Sequence, residues 1–470
     1  MRIQKKVVAA CYLFVSFGTV LAQELPAAVV DALTRAEIPG YAVGAYVQEA
    51  GGGPVLAAKN QDIPLSPAST MKLVTSNAAL EILGPAFTWK TQAYATGTLN
   101  GDVLNGDLVF KGSGDPKLVL ENFWMFMRRI RAKGIRVIGG NVVLDRSVFE
   151  EIPVDAALFD GDPMKTYNVG PDALLLNYKA FSFRFAPDEG AGIVRLAVEP
   201  PVDGFPVQSP RLSHGECGDW RAMLHPVIDG AGARFGGAYP ASCGERVWHI
   251  HPFQMTHTQY FSAVFRRMWA ELGGKFKGEV RNGHVPETAR LVAEWESPSV
   301  SDVIRDVNKF SNNVMARQLL LTIAYRSLQI PATPERGAAV VKMWLANKGI
   351  DAPDLSIDNG SGLSRSERIS ALTLGRLLVK AYQSPTMPEF IASLPLAGLD
   401  GTMRLRLNGQ SAAGRAHIKT GSLNQVRSIA GYVLAASGRR YAVVWIVNHA
   451  NADRSVEAQD ALLQWVHDNG

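Results

Sequence analysis

The chain is poor in several things that would each have given it an easy label. It has only three cysteines in 470 residues, far too few for a disulfide-scaffolded or metal-knuckle protein. It has no internal repeat and no low-complexity tract, which excludes solenoids, collagen-like chains and disordered tails. Its charge is nearly balanced, at a formal +5, and residues 1–22 hold three cations and no acid, so the remainder stands near +2. That is too little to argue for nucleic acid or an anionic membrane surface. No apolar run beyond the first 22 residues reaches spanning length without charges.

Those first 22 residues read as a secretory signal peptide. Arg2, Lys5 and Lys6 precede an almost wholly apolar Val7–Val20, and Val20 and Ala22 supply the small residues of a cleavage site. Cys11 would leave with it. Cys217 and Cys243 remain, and two cysteines in an exported protein most simply form one disulfide; the alternative is two buried free thiols. With 47% hydrophobic residues the chain can fill sizeable cores.

The pattern along the chain divides it. Near Ala42–Gln48 two short strands flank a glycine turn at Gly51–Gly53, and Ser69–Leu83 reads as a helix stopped by Gly84-Pro85. From about Trp89 to Pro286 short strands, glycines and prolines dominate. The one helix-like piece there, "LVLENFWMFMRRIRAKG", carries aromatics that point to a core. Helical texture returns at "SVSDVIRDVNKFSNNVMARQLLLTIA". Three strand-like runs follow, "RAHIKTGS", "SIAGYVLAA" and "RYAVVWIVNHA", and a last helix spans about 455–466. Successive strands with short links predict an antiparallel meander that the earliest strands complete, in an α+β architecture.

Three short motifs carry chemistry. Ser69-Thr-Met-Lys72 opens a helix after Pro67, so Ser69 and Lys72, three apart, share one face. Ser311-Asn312-Asn313 lies between two helical runs, and Lys419-Thr420-Gly421-Ser422 lies on a strand. Ser-x-x-Lys and Ser-x-Asn each arise by chance roughly once or twice in a chain this long, and Lys-Thr-Gly in about one such chain in ten. Their order and settings make the triple specific. A serine hydroxyl cleaves amides only if a base takes its proton, and a buried lysine beside a second cation can be that base.

The triple resembles the active-site serine penicillin-recognising enzymes, DD-peptidases and serine β-lactamases. Ser69 and Ser311 stand 242 positions apart. That long interval resembles the class C low-molecular-mass penicillin-binding proteins, the D-alanyl-D-alanine carboxypeptidase/endopeptidase family, as do "KGSGDPKL", "YNVGPDALLLN", "DNGSGLSR" and "AGLDGTM". The resemblance implies a penicillin-binding transpeptidase-like domain, an antiparallel sheet flanked by helices, split as 23–88 and 287–470. The insertion at 89–286 would hold two nested β-rich domains, an outer one of about 89–145 and 260–286 and an inner one of about 146–259. It implies Ser69 as nucleophile and Lys72 as base, with Ser311 a proton relay bridging Lys72 and Lys419. Asn313 would meet the substrate backbone, Lys419 and Thr420 its carboxylate end, the strand from Lys419 through Gly421 to Ser422 would pair with the extended peptide, and the backbone N–H groups of Ser69 and Ser422 would receive the oxyanion. Arg365 is expected to meet an acidic group of the stem peptide and Asp160 or Asp162 its ammonium group. Asp115, Asp358 and Ser361 read as turn residues.

The implied reaction is hydrolysis of D-alanyl-D-alanine ends or cross-links of peptidoglycan in the periplasm through an acyl-serine, blocked covalently by β-lactams, with no cofactor or metal. A serine β-lactamase is the rival enzyme; the long insertion and the lack of Glu-x-x-Leu-Asn between Asn313 and Lys419 weigh against it. A non-catalytic cell-wall peptide binder is the rival outside enzymes. His249, His251 and His257 form a possible zinc cluster, but no further ligand sits at a convincing spacing, so they read as structural.

Overall fold

The computed structural model describes residues 24–202, 204–229 and 231–470; the expected signal peptide and Cys11 lie outside them. The fold is α+β. Its central sheet has five antiparallel strands in the order Val55–Lys59, Val43–Glu49, Arg440–Asn448, Val426–Leu434 and Ala416–Leu423. The C-terminal meander and the N-terminal hairpin thus share one sheet, as the strand pattern predicts. Its three inner strands are buried over most of their length, because helices cover both faces. Ala27–Arg35 and Val456–Asn469 pack on one face. The helices Lys72–Ile82, Val300–Lys309, Asn313–Leu328 and Ala371–Tyr382 pack on the other.

Two details of this body matter for chemistry. The chain before the helix Lys72–Ile82 forms a 3₁₀ turn, Ala68–Met71, so Ser69 precedes the α-helix that sequence periodicity starts at Ser69. The last strand, Ala416–Leu423, is a sheet edge. Its first half is covered: Ala397 N–H donates to Ala416 O at 2.9 Å and Ile418 N–H to Pro395 O at 2.8 Å. Backbone groups alternate sides along a strand, so those of Thr420 and Ser422 point to the same edge, where it lies open.

The stretch between Trp89 and Ser297 builds its own sheets. Lys90–Ala95, Leu108–Lys111, Val142–Asp145, Val280–Asn282 and Arg290–Glu296 form one. Phe181–Asp188, Ile193–Glu199, Arg211–Ser213, Ala238–Pro240 and Arg246–Ile250 form another, from the middle of the stretch. The pairing of Arg290–Glu296 with Lys90–Ala95 carries the outer sheet to Glu296, beyond the boundary expected at 286. The helices Leu120–Ala132 and His257–Glu271 turn Phe123, Phe126, Phe261 and Phe265 into a shared aromatic core. Trp124 and Met125 of the first helix face outward. Cys217 and Cys243 are bonded to each other. No helix among the described residues is long and apolar enough to cross a membrane.

Candidate active site

The three motifs meet where the 3₁₀ turn, the start of the helix Asn313–Leu328 and the open half of the edge strand converge. Ala68, one residue before the serine, is held at φ +47° and fully buried. A non-glycine residue there costs about 1–3 kcal/mol and persists only under strong constraint. The constraint is tight packing of backbone on backbone. A Cβ on Gly421 would meet Pro67 O at 2.7 Å and Ser69 N at 2.9 Å, and one on Gly362 would overlap Ala68 O. Only glycine lets the strand and the "DNGSGLSR" loop approach the serine turn this closely.

Lys72 is completely buried. Its Nζ reaches Ser69 Oγ at 2.9 Å, Asn313 Oδ1 at 2.5 Å and the backbone O of Ser361 at 2.5 Å. Burial above all, then the charge of Lys419, pushes its pKa well below the lysine range, with Arg317 adding to the shift and Glu367 opposing it. A lysine so placed can be neutral near pH 7 and take the proton of the hydroxyl it touches.

Lys419 is also fully buried, and burial brings its pKa down to about 7. Its Nζ donates to Ser311 Oγ at 2.9 Å and to Thr420 O at 2.6 Å. Ser311, at φ +56°, therefore bonds Lys419, while the bonds of Lys72 go elsewhere; the expected bridge between the two lysines is half made. Asn313 spends its Oδ1 on Lys72, which leaves its NH₂ to donate. Ser422 is exposed on the open edge.

Several contributors have no signature in the sequence. Ser361, expected only to shape a turn, supplies a carbonyl to Lys72. Glu367, fully buried, ties down that loop: its Oε1 accepts from the N–H groups of Asp358, Asn359 and Gly360 at 3.2, 3.0 and 2.8 Å. Burial raises its pKa. Thr402 bonds Thr420 through the two hydroxyls at 2.7 Å. The ion pair of Lys309 with Asp400 at 2.6 Å holds the segment carrying Thr402 against the helix Val300–Lys309. A fold-dependent loop carbonyl cannot be read from residue types; the buried glutamate, four residues past a Gly-Ser-Gly-Leu, could at least have been asked for its partners.

Arg365 is exposed and lies over the Phe159 ring at 4.7 Å, at a cavity of about 1490 Å³ beside the "DNGSGLSR" loop. Asp160 is occupied by Tyr167 OH at 2.5 Å and Asn168 at 2.9 Å. Neither it nor Asp162 lines this cavity; Asp155 does. Asp115 makes the expected turn, accepting from Lys117 N–H at 2.7 Å. The histidines do not assemble: His249 Nδ1 bonds Ser182 at 2.7 Å, and His251 Nδ1 bonds Pro163 O at 3.0 Å. His257 lies 3.9 Å from Asp172. No metal-competent group of three or more His, Cys, Asp or Glu occurs among the described residues.

Comparison with known proteins finds relatives along nearly the whole chain. Residues 25–469 match the model of the D-Ala-D-Ala carboxypeptidase 3 (S13) family. A D-alanyl-D-alanine carboxypeptidase DacB of Haemophilus influenzae is 26% identical over 427 residues, covering 89% of this chain and 88% of that protein. A D-alanyl-D-alanine carboxypeptidase of Actinomadura sp. (strain R39) is 27% identical over 450 residues, covering 90% and 81%. The crystal structure of penicillin binding protein 4 (dacB) from Haemophilus influenzae shares the fold, with a TM-score of 0.79 at 23% identity over 94% of this chain and 99% of that one.

Proposed function

We propose, for a chain that belongs to the D-Ala-D-Ala carboxypeptidase 3 (S13) family, a reaction cycle built on Ser69, Lys72, Ser311 and Lys419. The protein is a penicillin-binding serine DD-peptidase acting on D-alanyl-D-alanine bonds of peptidoglycan. One observation carries the cycle: a fully buried lysine amine 2.9 Å from the hydroxyl of Ser69.

Lys72 takes the Ser69 proton as Oγ attacks the penultimate D-alanyl carbonyl. The oxyanion is received by the N–H groups of Ser69 and Ser422, donors of a kind worth about 10²–10³ in rate each. The open half of the edge strand pairs with the extended peptide as an added strand, and Asn313 donates to its backbone. Lys419 and Thr420 hold the terminal carboxylate. Ser311 passes its proton to the leaving amine and is reprotonated by Lys419. Water then releases the acyl group; its proton returns to Lys419 through Ser311, and Lys72 restores the Ser69 hydroxyl.

Arg365 fits an acidic side chain of the stem peptide, and Asp155, on the same cavity, fits its ammonium group. The same acyl-serine route extends to D-alanyl cross-links, an endopeptidase activity. We read the chain as an exported periplasmic protein, with a split peptidase body and a two-part β-rich insertion; separate sheets for the outer and inner parts support that division.

Intact mass after incubation of the mature protein with benzylpenicillin tests the cycle. One drug mass should add to the wild type and none to Ser69→Ala. No adduct on folded wild type would overturn the acyl-serine reading. Release of D-alanine from a D-alanyl-D-alanine peptide checks turnover.

A further inference from the structure

The cavity beside the "DNGSGLSR" loop runs past Arg365 to side chains with no part in acyl transfer: Lys179, His251 and His257, with Arg146 and Asp172. Asp172 is already engaged, by Arg146 Nε at 2.9 Å and by His257 at 3.9 Å. Lys179 is only 6% exposed, and its ammonium makes no hydrogen bond or ion pair among the described residues. Burial brings its pKa down to about 8, against the pull of the Asp172 charge. A buried lysine without a partner is costly, and proteins rarely retain one without use.

The backbone that places it is equally unusual. Asn177, Tyr178 and Lys179 follow one another at φ +46°, +53° and +46°. Residues other than glycine visit this region singly, not in runs. The run is fixed at both sides: Asn177 N–H donates to Leu118 O at 2.9 Å, and Tyr178 packs on the core beside Val314 and Met315. A left-handed turn locked into two bodies of the molecule delivers the lysine to the cavity.

His251 adds a complementary group. Its Nδ1 must donate to Pro163 O, because a carbonyl only accepts, so its Nε2 carries a lone pair. That Nε2 is buried without a partner. Burial and the nearby Lys179 charge keep the ring neutral, with a pKa of about 3. One donor cation and one unpartnered neutral acceptor thus belong to residues lining the same cavity.

We infer that the inner end of this cavity is a second substrate subsite, in which Lys179 binds a carboxylate of the donor peptide and His251 Nε2 accepts from a neighbouring amide N–H. The inference rests on the peptidase reading above. A peptide is favoured over a free anion because a single cavity joins this end to Arg365 and to the loop, Asp358–Ser366, whose Ser361 carbonyl holds Lys72.

Peptides ending in D-alanyl-D-alanine, carrying glutamate or glutamine two, three or four positions upstream, provide the test on the mature protein. The wild type should favour the glutamate peptide at one of these positions by about ten-fold in KM, with kcat unchanged, as expected for a charge-assisted hydrogen bond. Lys179→Met should erase that preference, and Lys179→Arg should keep it. Benzylpenicillin should acylate all three proteins at one rate, which reports an intact fold and serine site. A preference that survives in Lys179→Met, or none in the wild type, overturns the subsite. Inhibition by inorganic phosphate that depends on Lys179, with no preference between the peptides, also overturns it, by pointing to a free anion. Absence of an adduct on the wild type would instead bring down the peptidase reading and this subsite with it.

Discussion

The surroundings of Ser69 in the peptidase body and the centre of the stretch inserted into it bury opposite things. Around the serine the body encloses ionisable groups: Lys72, Lys419 and Glu367 are all fully buried. The insertion fills its centre with rings, among them Phe110 against Phe126 at 5.8 Å and Phe185 against Phe235 at 5.0 Å, both edge to face. Rings gain from burial itself, with a modest premium for geometry. A buried charge gains nothing unless each of its partners is in place. Stability should therefore fall steeply when the insertion is cut back, and activity when the body is, with little crossover.

The largest effect expected on that contrast is Lys72→Ala. Loss of the base should slow acylation by benzylpenicillin by about 10³-fold or more, measured by quenched mass spectrometry, with the melting temperature unchanged or raised. A variant that acylates normally would show that Lys72 is structural. The mirror experiment is Phe110→Ala, which should cost about 3–5 kcal/mol in urea unfolding while the folded fraction acylates at the wild-type rate. A fall in that rate would mean the two regions are energetically one. Smaller again is Cys217→Ser with Cys243→Ser. Opening a 26-residue separation should cost about 3 kcal/mol by the chain-entropy account and leave acylation alone.

The subtlest change crosses from charge to geometry. Glu367 raises the Lys72 pKa, so Glu367→Gln should lower it, moving the rise of acylation rate with pH to lower pH. Loosening of the loop carrying Ser361 should also cut the plateau rate by a few-fold. An unchanged profile would disconnect Glu367 from the site. In both proteins KM for a D-alanyl-D-alanine peptide should climb above pH 7, as Lys419 loses its proton near pH 7.

The same contrast explains what could be read in advance. The three motifs, the central sheet and the pairing of Cys217 with Cys243 are legible because they depend on residue type, alternation and compartment. Ser361, Thr402 and Lys179 are not, because each owes its role to loop backbone: a carbonyl direction, a tethered segment, a left-handed turn. The outer sheet reaching Glu296 was hidden too, since Arg290–Glu296 reads as a strand without naming its partner. The sequence points to Asp160 and Asp162 for the ammonium group and not to Asp155; the fold places Asp155, not those two, on the cavity.

The place where the insertion joins the body bears on how the chain folds. Lys90 pairs with Glu296 and Thr91 with Trp295, and just outside them Ser297 N–H donates to Trp89 O at 3.0 Å. The chain enters and leaves the insertion through adjacent rungs of one ladder. For the helix Lys72–Ile82 to meet Val300–Lys309, an unstructured loop of ~200 residues would have to close, at an entropy cost of about 4–5 kcal/mol. Once the insertion has folded, its own ladder has already brought those ends together. The body then assembles across a gap of a few residues, and a chain of high contact order folds as if it were two short ones.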